Sequence, residues 1–252
     1  MTGLVRRDPR RGFDSLLLDS QANRNALSLE LLEELVTAVR ESATGGSRGL
    51  LIEHAGPSFC SGVDLKQRSA MDRSDSSHSQ LLAELLRELW VYPKPAVAVV
   101  DGAVRGGGLG LLACMDVVVA SRSSTFAYSE SRVGVAPALV MAVTLPTTQG
   151  RALMPHLLSG AAFDATVAAG LGLVHLLETP VDSVLESLLQ GAPGAQATIK
   201  RLGRQWAEPG MEALIAEMTS LSGDLFSGEE AREGMTAFAE RRAATWSLVA
   251  AS

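Results

Sequence analysis

Between Pro95 and Ala120 the chain reads PAVAVVDGAVRGGGLGLLACMDVVVA, two apolar runs on either side of a triple glycine. The run AVAVV has the composition of a buried strand, and residues 109–115 have the length and apolarity of a short buried helix. Gly106, Gly107 and Gly108 lie between them. A backbone without Cβ lets a ligand come close, and the first amides of a helix point outward unpaired. Such a turn suits an anion, or an oxygen that becomes anionic during a reaction.

The same unit comes earlier in the chain, where GLLIE at residues 49–53 feeds the loop HAGPSFCSGVDLK at 54–66. Two such loops can bring main-chain N–H groups to one point. Removing a proton beside a thioester carbonyl demands that arrangement, because negative charge collects on the carbonyl oxygen. Either loop alone favours the reading of a tight turn in an α/β sheet. The loose G-x-G-x-x-A match at residues 108–113 does not make a dinucleotide site: its later positions fall inside the apolar helix, and no acid closes the strand VVVASR that follows.

The chain's 252 residues, 46% apolar and 20% charged, are enough for one well-cored domain or one domain with an appendage. A net charge of −6 gives no basic footprint for nucleic acid. No apolar run approaches the roughly 18 residues of a membrane span. Cys60 and Cys114 sit in apolar surroundings at no metal-like spacing, which suits a reducing cytoplasm. No metal site is expected from the four histidines either; His78 alone could enter a pocket, if its segment folds over one.

In chain order, a basic arm precedes an edge or hairpin strand at 16–18, and a helix at 28–40 is capped by Ser28 with Leu31, Leu32, Leu35 and Val39 inward. Residues 67–79 are polar and read as mobile. A helix at 81–91 and strands at 117–120 and 125–128 follow. Helices at 149–158, 165–169, 181–190, 195–206, 211–226 and 229–246 complete the chain. Strands alternating with helices, then helices alone, divide it into an α/β core at 1–192 and a helical region at 193–252.

The blocks NRNALSLELLEEL, GPSFCSGVDLK, PKPAVAVVDGAVRGGGLGLLACMDVVVA, FAYSESRVGVAP and EEAREGMTAFAERR span nearly the whole chain, and in this order they resemble the crotonase, or enoyl-CoA hydratase/isomerase, superfamily. The resemblance implies an α/β fold with a ββα spiral core and a C-terminal helical trimerisation region. A homotrimer or a dimer of trimers is the implied assembly. An acyl-CoA thioester is the implied substrate, coenzyme A being part of it rather than a separate cofactor. The N–H groups of Val63 and Gly107 would then form an oxyanion hole, and Arg24, Asn25, Ala26, Ser61 and Lys66 would lie along the coenzyme A path. Phe238 and Arg241 would reach a neighbour's site from the C-terminal helices.

The catalytic side chains depart from the family pattern. The best-known hydratases hold a water between two glutamates; here the first position is Gly110 and the second is Glu130. One carboxylate suffices to carry a proton between α and γ carbons, whereas hydration needs a water both positioned and deprotonated. The GGGxGL variant with SExRxGxAPA also resembles a hydratase-like subset, including methylglutaconyl-CoA-type hydratases, that has glycine at the first position. An enoyl-CoA hydratase is therefore placed ahead of a 3-enoyl to 2-enoyl isomerase, and ahead of a non-hydratase protein binding acyl-CoA or an acyl carrier. Residues 136–141, APALVM, replace the usual glycine-rich stretch and should reshape the acyl pocket.

Overall fold

The structure, a computed structural model, describes residues 3–72, 75–207 and 210–245. A hairpin of β1 (Val5–Arg10) and β2 (Phe13–Leu18) leads into α1 (Leu29–Thr44). From there a unit of long strand, short strand and helix repeats. The first pass is β3 (Gly49–His54), β4 (Ser58–Cys60), α2 (Leu65–Ala70) and α3 (Ser77–Trp90). The second is β5 (Ala96–Val100), β6 (Ala103–Arg105) and α4 (Gly107–Ala113). The third is β7 (Val117–Ala120), β8 (Thr125–Ala127), a 3-10 turn (Ser129–Val133), α5 (Ala138–Thr147) and α6 (Gly150–Ser159). Then come β9 (Phe163–Asp164), α7 (Ala165–Gly170), β10 (Leu176–Leu177), α8 (Val181–Leu189), α9 (Pro193–Ala207), α10 (Met211–Ser227) and α11 (Glu229–Ala239).

The first strands of each pass build a six-stranded sheet in the order β1-β2-β3-β5-β7-β10, and the second strands a four-stranded sheet in the order β4-β6-β8-β9. Pairing is parallel except at β1–β2 and β8–β9. This is the ββα spiral that the sequence resemblance implies. Parallel strands covered on both faces must be apolar throughout, which is why GLLIE and AVAVV read as unbroken runs. Ser28 caps α1, its Oγ accepting from the amide of Leu31 at 3.3 Å, and Leu31, Leu32, Leu35 and Val39 are completely buried as expected.

Four local expectations change. The basic arm is a full strand, paired with β2 along its length, so of the two readings of residues 16–18 the hairpin strand holds and the edge strand does not. Ion pairs hold β1 in place of apolar burial: Arg7 meets Asp14 at 2.5 Å, and Arg10 meets Glu53 at 2.9 Å and Asp182 at 2.8 Å. Hydropathy leaves no trace of such a strand. The polar segment at 67–79 contributes to α2 and begins α3, with Arg68, His78 and Ser79 buried. Distant residues of α10 cover it: the Arg68 guanidinium stands 5.6 Å from the Phe226 ring, and Ser79 Oγ lies 3.0 Å from Ser222 Oγ.

The stretch at 136–141, expected to stand in place of a glycine-rich loop, instead opens α5 at Ala138, a helix apolar nearly all round because protein encloses it. Two short strands, β9 and β10, interrupt the stretch read as helical throughout. The last helix ends at Ala239, and the Trp246 end expected for it lies outside the described residues. The C-terminal helices pack on their own chain, α10 against α3 and α5, α11 against the Ser129–Val133 turn and α2. None of the described helices is long and apolar enough to cross a membrane.

Gly49 opens β3 where the Phe13 ring lies over it: a Cβ there would stand 2.2 Å from Phe13 Cε1 and 2.6 Å from the carbonyl oxygen of Pro95. Overpacking of this kind costs about 1–3 kcal/mol. Gly49→Ala is expected to lower stability by that amount in urea unfolding.

Candidate active site

The loop after β4 turns at Gly62, whose φ is +91°. Leu27 then clamps it, its amide donating to the Gly62 oxygen at 2.8 Å and its oxygen accepting from the Asp64 amide at 3.4 Å. Asp64 caps α2 by accepting from the Gln67 amide at 3.0 Å and also accepts from Asn23 at 3.1 Å. Val63 is thus fixed between two bonded neighbours, while its own N–H has no partner among the described residues.

The second loop is organised alike. Gly106, at φ +49°, donates its amide to the Ala127 oxygen at 3.1 Å, and Gly107 starts α4 with an N–H that likewise has no partner among the described residues. The two loops touch: a Cβ on Gly106 would lie 3.5 Å from Gly62 Cα.

Glu130 comes to the same place from the turn after β8. A Cβ on Gly106 would lie 2.9 Å from Glu130 Oε1. The residue keeps some exposure, yet Oε2 is sealed from solvent and has no hydrogen-bond partner. Burial raises the carboxyl to about 7, opposed only by the residue's own amide. The neighbouring Cys60 thiol is pushed up to about 12 by burial, and burial raises the Tyr128 phenol too, so neither competes as a base near neutrality.

Three residues beyond Gly107, where the first family glutamate would stand, the surroundings of Gly110 are apolar. A Cβ there would meet Leu86 Cδ2 at 3.3 Å and Val140 Cγ2 at 3.6 Å. Leu27 and Leu82 lie over Gly107. Sequence reasoning missed Leu27, Leu82 and Leu86 as site residues, since each reads as ordinary core and only the fold brings them to the glycines, whereas Val140 lies in the 136–141 stretch expected to reshape the acyl pocket.

Of the residues expected along a coenzyme A path, Arg24 and Lys66 are exposed, Ala26 is buried, and Ser61 donates its hydroxyl to the Asn23 oxygen at 3.0 Å. Asn25 requires a correction. Its side chain is fully buried, accepting from the Ser20 amide at 2.7 Å and donating to the oxygens of Ala55 and Ser58 at 3.1 and 2.8 Å. It ties the β2–α1 connection to the β3–β4 connection, leaving only its main chain to meet a ligand. Phe238, 65% exposed, and Arg241 stand on or just beyond α11 and face solvent.

His78 is buried, with Nε2 3.0 Å from Gln67 Oε1, and His54 and His175 accept from the amides of Asp101 and Val118. Among the described residues no three His, Cys, Asp or Glu side chains gather to hold a metal. Two roomy cavities, about 530 and 750 Å³, flank α9 at Lys200 and Arg204 and include neither Glu130 nor the glycine loops.

Comparison with known proteins identifies the family and the fold. The family model described as enoyl-CoA hydratase/isomerase matches residues 14–248. The 2,3-dehydroadipyl-CoA hydratase of Escherichia coli K12 is 31% identical over 236 residues, which cover 90% of this chain and 92% of that protein. Human mitochondrial enoyl-CoA hydratase domain-containing protein 2 is 29% identical over 252 residues, 93% of this chain and 85% of that one. The crystal structure of an enoyl-CoA hydratase from Mycobacterium avium matches with a TM-score of 0.88 at 32% identity, over 98% of this chain and 100% of that one.

The raised carboxyl has a thermodynamic signature. Unfolded, Glu130 ionises near its ordinary 4.5; folded, it stays neutral until about 7. Stability is therefore intact below the lower value and falls as pH rises through the higher one, by up to about 3 kcal/mol. Urea unfolding from pH 5 to 8 should show this loss in the wild type and its absence in Glu130→Gln.

Proposed function

This chain belongs to the enoyl-CoA hydratase/isomerase family, and from that premise we propose that it hydrates a 2-enoyl-CoA thioester with Glu130 as its single acid and base. The observation that carries the reading is the enclosed Glu130 carboxylate, one oxygen against Gly106 and the other unpartnered, beside two loops whose amides at Val63 and Gly107 are unpaired.

In this reading the thioester oxygen accepts from the Val63 and Gly107 amides. Water adds its oxygen to the β carbon and gives a proton to Glu130, which delivers a proton to the α carbon. Glu130 ends as it began, and the elements of water lie across the former double bond. Charge builds on the thioester oxygen between these events, where one such donor is typically worth about 10²–10³ in kcat. A carboxyl that titrates near 7 is present in both forms at neutral pH, as a group that must take and give a proton requires.

Arg24 and Lys66 supply positive charge for the phosphates of coenzyme A, while the main chain of Asn25 and Ala26 and the Ser61 hydroxyl line the path. Phe238 and Arg241 are assigned to a neighbouring subunit in a homotrimer or dimer of trimers, which suits their exposure on this chain.

The apolar wall over Gly110 favours a second reading. Leu86 and Val140 offer a water no hydrogen bond, and moving a double bond needs none: Glu130 takes a proton from the α carbon of a 3-enoyl thioester, the same amides stabilise the dienolate, and the proton returns at the γ carbon. Crotonyl-CoA and 3-hexenoyl-CoA separate the two. Loss of conjugated-thioester absorbance from the first marks hydration, its appearance from the second marks isomerisation, and tight binding with neither marks an acyl-CoA binder. In either enzyme Glu130→Gln should lower turnover more than about 100-fold with acyl-CoA binding retained. An unchanged rate would remove Glu130 from its role.

A further inference from the structure

The turn that carries Glu130 meets α11 backbone against backbone. Gly134 closes the turn at φ +74°, and a Cβ on it would lie 2.3 Å from the carbonyl oxygen of Glu230. One helical turn along, a Cβ on Gly234 would lie 2.3 Å from the carbonyl carbon of Val133 and 2.4 Å from its oxygen. Ala231, fully buried, lies between these two positions in the helix. The segment held in this way bonds back to Glu130, because the Val135 amide donates to the Glu130 oxygen at 3.0 Å and the Gly134 amide to that of Ser131 at 3.3 Å. On its far side the Glu130 carboxylate is pressed against Gly106.

The end of α6 packs on the same turn from another side, a Cβ on Gly160 lying 2.9 Å from Arg132 Cγ and 3.1 Å from Ser131 Oγ, so there the contact is with side chains rather than with the backbone of 133–134. None of its five residues is fully buried, and Ser131 Oγ has no hydrogen-bond partner. Arg132 adds one tie, donating to the Ser159 oxygen at 3.0 Å. A stiff helix lying on a short turn with no side chain between them sets how closely the backbone at 133–134 can approach it.

We propose that Gly234 is a positioning residue: by admitting α11 to direct contact with Val133 and Gly134, it sets how deeply Glu130 enters the site. This rests on the reading of Glu130 as the acid and base. A methyl group at 234 must push the two backbones apart by about 1 Å to reach ordinary contact, and a misplacement of that size costs about 10²-fold in rate.

The test compares folded variants by kcat and KM. Gly234→Ala is expected to lower kcat about 30- to 100-fold and to leave KM within about 2-fold. Thr236→Gly, on the exposed face of α11, weakens the helix without adding an atom to the contact, and should lower Tm while keeping wild-type kcat. Wild-type kcat in folded Gly234→Ala, or equal kcat losses in both variants, overturns the proposal. Glu130→Gln, assayed in parallel, keeps the two ideas apart: if it retains activity the catalytic reading fails, and if it is inactive while Gly234→Ala is normal only the positioning role fails. Should Gly234→Ala not fold, amide exchange in the wild type decides. The Val135 amide is expected to exchange together with the slow amides of α11, and a Val135 amide still protected after α11 has exchanged overturns the inference.

Discussion

The candidate site depends on how closely three main-chain segments approach one another at Gly106. The loop after β4, the loop after β6 and the turn after β8 each end a short strand of the four-stranded sheet, and parallel pairing brings those ends to one edge. Any side chain at 106 would occupy the space of the Glu130 carboxylate. Backbone donors need no side chain and have no pKa to tune, so Val63 and Gly107 can offer the same donor at any pH. In the proposed reaction the remaining acid–base burden would fall on Glu130, which lies against Gly106.

That carboxylate is unlike the others for which a shift is resolved. Asp182 is held below its ordinary range by Arg10 and Arg11, and Glu233 is drawn down to about 2 by Arg242. Among the described residues no cation acts on Glu130. Arg105 precedes Gly106 directly, but its guanidinium turns back to the oxygens of Val104 and Thr125 and to the Thr125 hydroxyl, at 2.7–3.0 Å. A guanidinium beside Glu130 would keep it ionised and make it a weak base. The arrangement forgoes stability at neutral pH in exchange for a proton acceptor of useful strength, as functional sites commonly do.

Much of this was legible in the sequence because its signals are local. Glycine runs after β-branched runs marked both loops, the Ser28 cap and leucine spacing marked α1, and the register of the blocks singled out Glu130. What stayed hidden was non-local. β1 is held by arginines whose partners lie on β2, β3 and α8, and α5 is too evenly apolar to show a helical stripe. Asn25 reads as a loop asparagine, while its work is to join loops up to 33 residues away. Gly134 and Gly234 each read as a single glycine, and only the folded chain shows that they face the same contact.

Gly110 is where local and non-local information meet. The sequence shows that a carboxylate is missing; the fold shows that Leu86 and Val140 close over the vacancy. In the proposed hydration the water must then be held by Glu130 and by the substrate, because hydrocarbon supplies no partner. Adding water to one face of a double bond asks the same carboxylate to accept a proton from the water and to protonate the α carbon, and its two oxygens allow this when the water lies between them and the β carbon. The apolar wall has the opposite merit for double-bond migration, where a stray water competes with the returning proton. Both reactions use one acid–base group and one pair of amides. In the proposed site the choice between them would turn on whether a single water is retained beside the β carbon, and it is Leu86 and Val140 that border the space where the absent carboxylate would stand.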